Sequence, residues 1–298
     1  MGFISRPFGL LLYWLNHLFG NYGVALIFFT LIVRLILLPL SVKQQKTMKK
    51  TQSVQPELER IKEKYKNDKE KLNEETMKAY KKYGVNPMGG CLPLLIQFPI
   101  IIGLYQAVIK PLTYMFGLSD ESIGLLLDKV NEVVAAGGGK LIEKIGNFQI
   151  TVAQKLTPEI LGSVDMGHIG IINFNFLGLN LGDTPSWQYL NWLWVIPVLA
   201  ALTTFLSTKT VPGANNSAVG GENSAASTMK TMNMVFPFMT AWFAFSMPAG
   251  VGFYWILGNI IQILQQLLLN KYFSKLPADP LVVEPEQKNP GRGKGKKR

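Results

Sequence analysis

Acidic side chains are missing from every long apolar run of this 298-residue chain. Charge is scarce throughout: Asp, Glu, Lys and Arg together make up 16% of the residues, against about a quarter in an ordinary soluble domain. Apolar residues make up 48%. They fall in blocks of roughly 20, the length that spans a bilayer as a helix. The pattern excludes a pair of soluble domains and points to one compact integral membrane protein.

Other absences narrow the function. A single cysteine, Cys91, excludes an internal disulfide, and inside an apolar block it reads as a small packing residue. Two histidines far apart in sequence, His17 and His168, argue against a zinc site or a histidine-based triad. The apolar runs hold no Ser-His pair and no paired aspartates, so an intramembrane protease is excluded. No Walker-type glycine loop is present, so ATP is not the driving force. Neither internal repeats nor a selectivity-filter pattern is visible, which argues against a channel or a secondary transporter. No enzyme activity and no cofactor are expected.

What is present is five candidate spans: 22–42, 89–116, 187–207, 231–248 and 250–270. Only a Pro-Ala-Gly turn separates the last two, which forces a tight hairpin. Residues 1–21 place Phe8, Leu11, Leu12, Leu15 and Phe19 on one helical face, the pattern of a helix lying in the membrane surface. Neither a small-residue cleavage site nor a lipid-acceptor cysteine follows them.

Lysine and arginine set the orientation. Segment 43–88 holds thirteen of them, loop 117–186 holds four, and tail 271–298 holds eight. The first and last therefore face the cytoplasm, and the N-terminus and long loop face outside. Segment 43–88 is rich in helix formers. Pro56 suits a first helical turn, Asn67-Asp68 a reversal and Gly84 a helix end, so a cytoplasmic helical hairpin is expected. Loop 117–186 contains amphipathic stretches such as "SIGLLLDKVNEVV", with a flexible break at Gly137-Gly138-Gly139, and reads as a surface-lying lid. Residues 208–230 read as a cytoplasmic connector. The expected fold is all-α and polytopic: five transmembrane helices, N-terminus out and C-terminus in, with that hairpin.

One charge breaks the apolar runs. Arg34 lies mid-way along the first span, roughly 13 Å from Lys43 at about 1.5 Å per residue. Facing lipid at that depth costs at least ~2.5 kcal/mol. No acid on another span can neutralise it. It must therefore face water, backbone or side-chain dipoles, or an acid brought by something else. Polar residues line up to support a cavity. Thr30, Arg34 and Ser41 share a face of the first span. Trp255, Asn259, Gln262 and Gln266 share a face of the fifth, and Gln97 sits in the second. Thr203, Thr204 and Ser207 lie toward the inner end of the third. Such a stripe is either interhelical glue or, with an unpaired arginine added, a hydrophilic intramembrane groove.

Four stretches carry a resemblance. "TLIVRLILLPLSVKQQKTMKKTQSVQPEL", "KKYGVNPMGGCLPLLIQFPIIIGLYQ", "FNFLGLNLGDTPSWQYLNWLWVIPVLAALTTFLSTK" and "FPFMTAWFAFSMPAGVGFYWILGNIIQILQQ" resemble, in this order, segments of the YidC/Oxa1/Alb3 membrane protein insertases. The likeness covers almost all of residues 20–273 and is greatest to the five-span bacterial form of organisms lacking an outer membrane. It implies an insertase of the bacterial cytoplasmic membrane whose groove opens to the cytoplasm and lipid. The matching arginine is Arg34, with Thr30 beside it; Gln97, Trp255, Asn259 and Gln262 are further groove candidates. The resemblance also implies partners: nascent membrane proteins, membrane lipids, the Sec translocon, the signal recognition particle and its receptor, and the ribosome. The ribosome would be met by the hairpin and by the basic tail, Lys294, Lys296, Lys297 and Arg298 included. The competing reading is an anion-binding permease or channel.

Overall fold

A computed structural model describes residues 2–85, 92–164, 169–188, 190–210 and 225–274; for 92–96 and 225–233 only the backbone path is described. Cys91, His168 and the four tail cations Lys294, Lys296, Lys297 and Arg298 lie outside the described residues.

Helix α1, Gly2–Phe19, forms where the amphipathic face was expected. Leu12 and Leu15 are buried, Phe8 and Leu11 are partly buried, and Phe19 stays exposed. This face does not float free, because α1 packs against two later helices, Tyr22–Ser53 and Leu92–Ile109. Helix α2, Tyr22–Ser53, starts at an Asn21 cap whose side chain accepts from Gly23 N and Val24 N. It does not stop at the end of the first apolar run. The same helix carries on into the lysine-rich segment, since Lys, Gln, Thr and Met continue a helix once it has been nucleated.

The hairpin follows as α3, Gln55–Lys64, and α4, Lys69–Lys82. Pro56 sits in the first turn of α3, Asp68 caps α4 by accepting from Lys71 N, and Gly84 takes φ 57 after its end. Val54, Leu58, Ala79 and Val85 form a small core between these two helices, separate from the main one. Lysines clothe the outside. Lys78 lies between Glu74 and Glu75 at 2.7 and 2.8 Å, and its hydrogen bond holds the Glu74 carboxyl below the ordinary range.

Helix α5, Leu92–Ile109, ends at Lys110, and Pro111 opens the short α6, Pro111–Tyr114. The long loop is far from featureless. It holds α7, Asp120–Ala136, α8, Phe148–Lys155, and α9, Pro158–Gly162. A two-residue-per-strand hairpin follows, β1 Asn175–Phe176 with β2 Leu179–Asn180. The apolar face of α7, through Ile123, Leu126, Leu127 and Val130, joins the main core. Gln149 of α8 accepts from Thr113 N at 3.1 Å and donates to Thr113 Oγ1 at 2.9 Å. The expected lid is thus tied into the bundle by burial and hydrogen bonds.

A short 3-10 turn, Trp192–Trp194, leads into α10, Val195–Thr210. The chain ends its described part with α11, Ala225–Ser246, and α12, Ala249–Ser274. Among the described residues, α2, α10 with its preceding turn, and α12 are long and apolar enough to cross a membrane. Shorter apolar helices, Gln97–Ile109 and Met234–Ser246, fall within the segments expected as the second and fourth spans. Helix α10 packs against α11 and α12, α12 packs against α2, and α1 bridges α2 and α5.

Candidate functional site

Helices α2 and α12 run side by side and parallel, and three levels of contact show it. Near their N-termini, a Cβ built on Gly250 lies 3.3 Å from the Tyr22 ring. Half-way along, Arg34 meets Gly258 and Gln262. Near the hairpin, buried Gln45 donates to Asn270 Oδ1 at 2.7 Å, and Gln266 donates to the same oxygen at 3.3 Å. The sequence offset barely changes between levels, as parallel helices in a fixed register require.

Arg34 is the centre of this seam. Its Nη2 donates to the Gly258 carbonyl at 2.7 Å and, at the long distance of 3.4 Å, to Gln262 Oε1. Among the described residues no carboxylate lies within ion-pair distance of it. The side chain is half-buried. A guanidinium has five N–H donors, and the two bonds described here both leave from Nη2. Of the three options open to an unpaired charge in a span, the structure uses dipoles: a main-chain carbonyl and a side-chain amide. Gly258 matters because a Cβ there would stand 3.0 Å from Nη2, closer than ordinary contact.

The other candidates divide. Gln97 donates to Tyr254 Oη at 3.5 Å, the outer limit of a hydrogen bond, and Tyr254 lies one turn before Gly258. Gln97 therefore joins the Arg34 side of α12. Thr30 is fully buried and turns its hydroxyl back to Leu26 O at 2.6 Å, as Ser41 does to Leu37 O at 3.0 Å. Those hydroxyls satisfy themselves on their own helix. Asn259, close in helical angle to Gln262, meets a different neighbour. It is buried and donates to Thr203 Oγ1 at 3.2 Å and Thr204 Oγ1 at 2.8 Å, binding α12 to α10. Trp255 stacks on Phe243 of α11 with ring centroids 6.4 Å apart.

The expected single stripe on α12 is thus two stripes. Tyr254, Gly258 and Gln262, spaced by four, face α2 and α5; Trp255 and Asn259 face α10 and α11. Sequence reasoning missed Tyr254 and Gly258 at the centre, and Gln45 and Asn270 at the hairpin end. A glycine one turn before Gln262 was the available signal, since it uncovers its own carbonyl. Among the described residues no group of three His, Cys, Asp or Glu is placed to hold a metal ion.

The arrangement is one positive charge, lightly held by neutral acceptors, on a polar seam between two span-length helices. Both acceptors are neutral, and an anionic group would add an opposite charge and the bidentate geometry that neither of them offers.

A family model described as 60Kd inner membrane protein matches residues 14–276. A protein of Listeria innocua named membrane protein insertase YidC 2 is 30% identical over 276 residues, covering 91% of this chain and 72% of that one. A Fusobacterium nucleatum protein named membrane protein insertase YidC is 31% identical over 254 residues, covering 85% of this chain and 87% of its own. One of the same name from Oceanobacillus iheyensis is 32% identical over 255 residues, with 84% and 75% covered.

Proposed function

The chain belongs to the 60Kd inner membrane protein family, and from that premise we propose that it is a membrane protein insertase of the bacterial cytoplasmic membrane. The observation that carries the reading is Arg34: a charge in a span-length helix, held by one carbonyl and one distant amide, with no acidic partner among the described residues. A resident ion pair would have made it structural. Its light tether leaves it ready for an acid that arrives with a substrate.

In this reading the five spans run with the N-terminus out and the C-terminus in, and Arg34 opens onto a hydrophilic groove reached from the cytoplasm and from lipid. A nascent segment, single-span or a small hairpin, enters from the cytoplasmic side. The lysine-clad α3–α4 hairpin receives it, and the tail cations Lys294, Lys296, Lys297 and Arg298 hold the ribosome nearby. A carboxylate near the translocated end displaces Gly258 O and Gln262 from Arg34. Gln97 offers a second polar contact along the same path.

The apolar part then passes along α5, α11 and α12 into lipid. Exposed Met234 and Met239 on α11 are flexible enough to fit varied sequences. Burial of roughly 20 apolar residues at about 25 cal/mol per Å² supplies the driving force. The groove lowers the barrier by shortening the dry path that the polar end must cross. The chain works alone or beside the Sec translocon, with nascent chains delivered by the signal recognition particle and its receptor.

The test is insertion of a single-span, acidic-tailed substrate into proteoliposomes carrying wild type, Arg34→Ala or Arg34→Lys. The proposal expects loss with Ala and retention with Lys. Equal dependence of acid-free substrates on Arg34 would sink the direct attraction. Anion flux without insertion would favour a permease instead.

A further inference from the structure

The first N–H groups of a helix have no partner within it, and such amides are costly wherever water is scarce. At the ends of α2 and α12 remote from the hairpin, one short segment meets this need for both helices. Asn173 O accepts from Tyr22 N at 3.0 Å. Leu181 O accepts from Gly250 N at 2.7 Å, and Asp183 O accepts from Ala249 N at 2.8 Å. Asn21 adds a fourth tie, donating from Nδ2 to Asn175 O at 2.8 Å while its Oδ1 caps its own helix.

Packing makes the fit tight. A Cβ on Gly23 would overlap the Phe176 ring, and one on Gly250 would lie 3.2 Å from Leu181 O. The Tyr22 and Phe174 rings sit 4.9 Å apart, and those of Phe176 and Phe253 5.3 Å apart. One face of the segment therefore touches α2 and another touches α12. Its two-residue turn has Leu177 at φ 51 and Gly178 at φ 80; glycine takes that conformation freely and a leucine side chain resists it. With only two residue pairs the hairpin is marginal alone, and its contacts with the two helices add to it.

We infer that residues 172–183 are a positioning brace for the α2–α12 pair. By offering carbonyls to both N-termini from one compact hairpin, the brace sets the axial register of the two helices. That register places Arg34 opposite Gly258 and Gln262, about three turns along α2 from Tyr22. The brace stays closed while substrate engages Arg34. Its consequence for activity rests on the insertase reading, while its geometry does not.

The test uses Phe176→Ala in the full chain, in lipid nanodiscs and proteoliposomes. This variant lacks the ring that fills the brace and keeps every main-chain carbonyl. Hydrogen exchange is read at 22–34 and 249–262, and insertion of an acidic-tailed single-span substrate is read in parallel. The brace predicts faster exchange at both stretches and a several-fold loss of insertion. Wild-type exchange at 249–262 would overturn it. So would faster exchange with insertion equal to or above wild type, since the segment would then be a gate that must part. If Phe176→Ala does not fold, Phe176→Leu carries the same exchange test. A wild-type chain that fails to insert sinks the insertase reading and leaves exchange to decide the brace.

Discussion

Helix α12 handles polarity in opposite ways on its two sides. Toward α10, Asn259 is buried and neutral, and its amide donates to two threonine hydroxyls. Toward α2, Gly258 O and Gln262 meet a full positive charge that is only half-buried. The first contact is complete within the protein. The second leaves donors over. Interhelical hydrogen bonds of the first kind are worth about 0.6 kcal/mol on average in a membrane, enough to hold a register. A charge in a span costs several times that, so retaining it calls for a use beyond packing.

The sharpest way to break this comparison is Arg34→Ala. Hydrogen bonds to charged groups are worth about 1.5–3 kcal/mol, so insertion of an acidic-tailed substrate is expected to fall on the order of tenfold or more. Arg34→Lys should keep most of it, as read by protease protection in proteoliposomes. The counterpart on the other face, Asn259→Leu, should cost on the order of 1 kcal/mol of thermal stability while leaving the preference for acidic over neutral tails unchanged. If that preference disappeared, the two faces would not be separable.

Gly258→Ala probes the boundary between them. Its methyl would press on Nη2 at 3.0 Å, pushing the guanidinium off its carbonyl at a cost of about 1 kcal/mol in stability. Insertion should stay within a few-fold of wild type, because the carbonyl is a resting place. Loss as complete as with Arg34→Ala would make the Gly258 contact part of the working arrangement.

The smallest effect concerns the brace. Burial raises the Asp183 carboxyl above its ordinary value of 3.8, and a hydrogen bond from Gln154 and the nearby Lys155 charge pull it only part of the way back. A raised carboxyl favours the folded state when protonated. Its contribution is therefore full below 3.8 and is lost as pH rises through the raised value. Asp183→Asn should melt slightly higher than wild type at neutral pH and equally in acid. A higher melting point in acid as well would trace the effect to something other than ionisation.

Much of this protein was legible before any coordinates, because the relevant signals are local. Apolar run length marks where the apolar helices lie, and Pro56, Asp68 and Gly84 mark the turns of the α3–α4 hairpin by backbone chemistry that acts within a few residues. Arg34 was conspicuous as a charge without an acid in any run. The partition of α12 was not legible. Trp255, Asn259 and Gln262 are close in helical angle, and their own sequence cannot say how far the helix is rotated about its axis or which neighbour each side chain meets. Nor could it show that a loop segment far along the chain would cap two helix N-termini at once. Helical periodicity depends on residues three or four apart, so the sequence alone determined where the helices are and which faces are polar. What each polar face touches depends on residues 55 to 228 positions apart, and only the packing of α2, α10 and α12 against one another decided that.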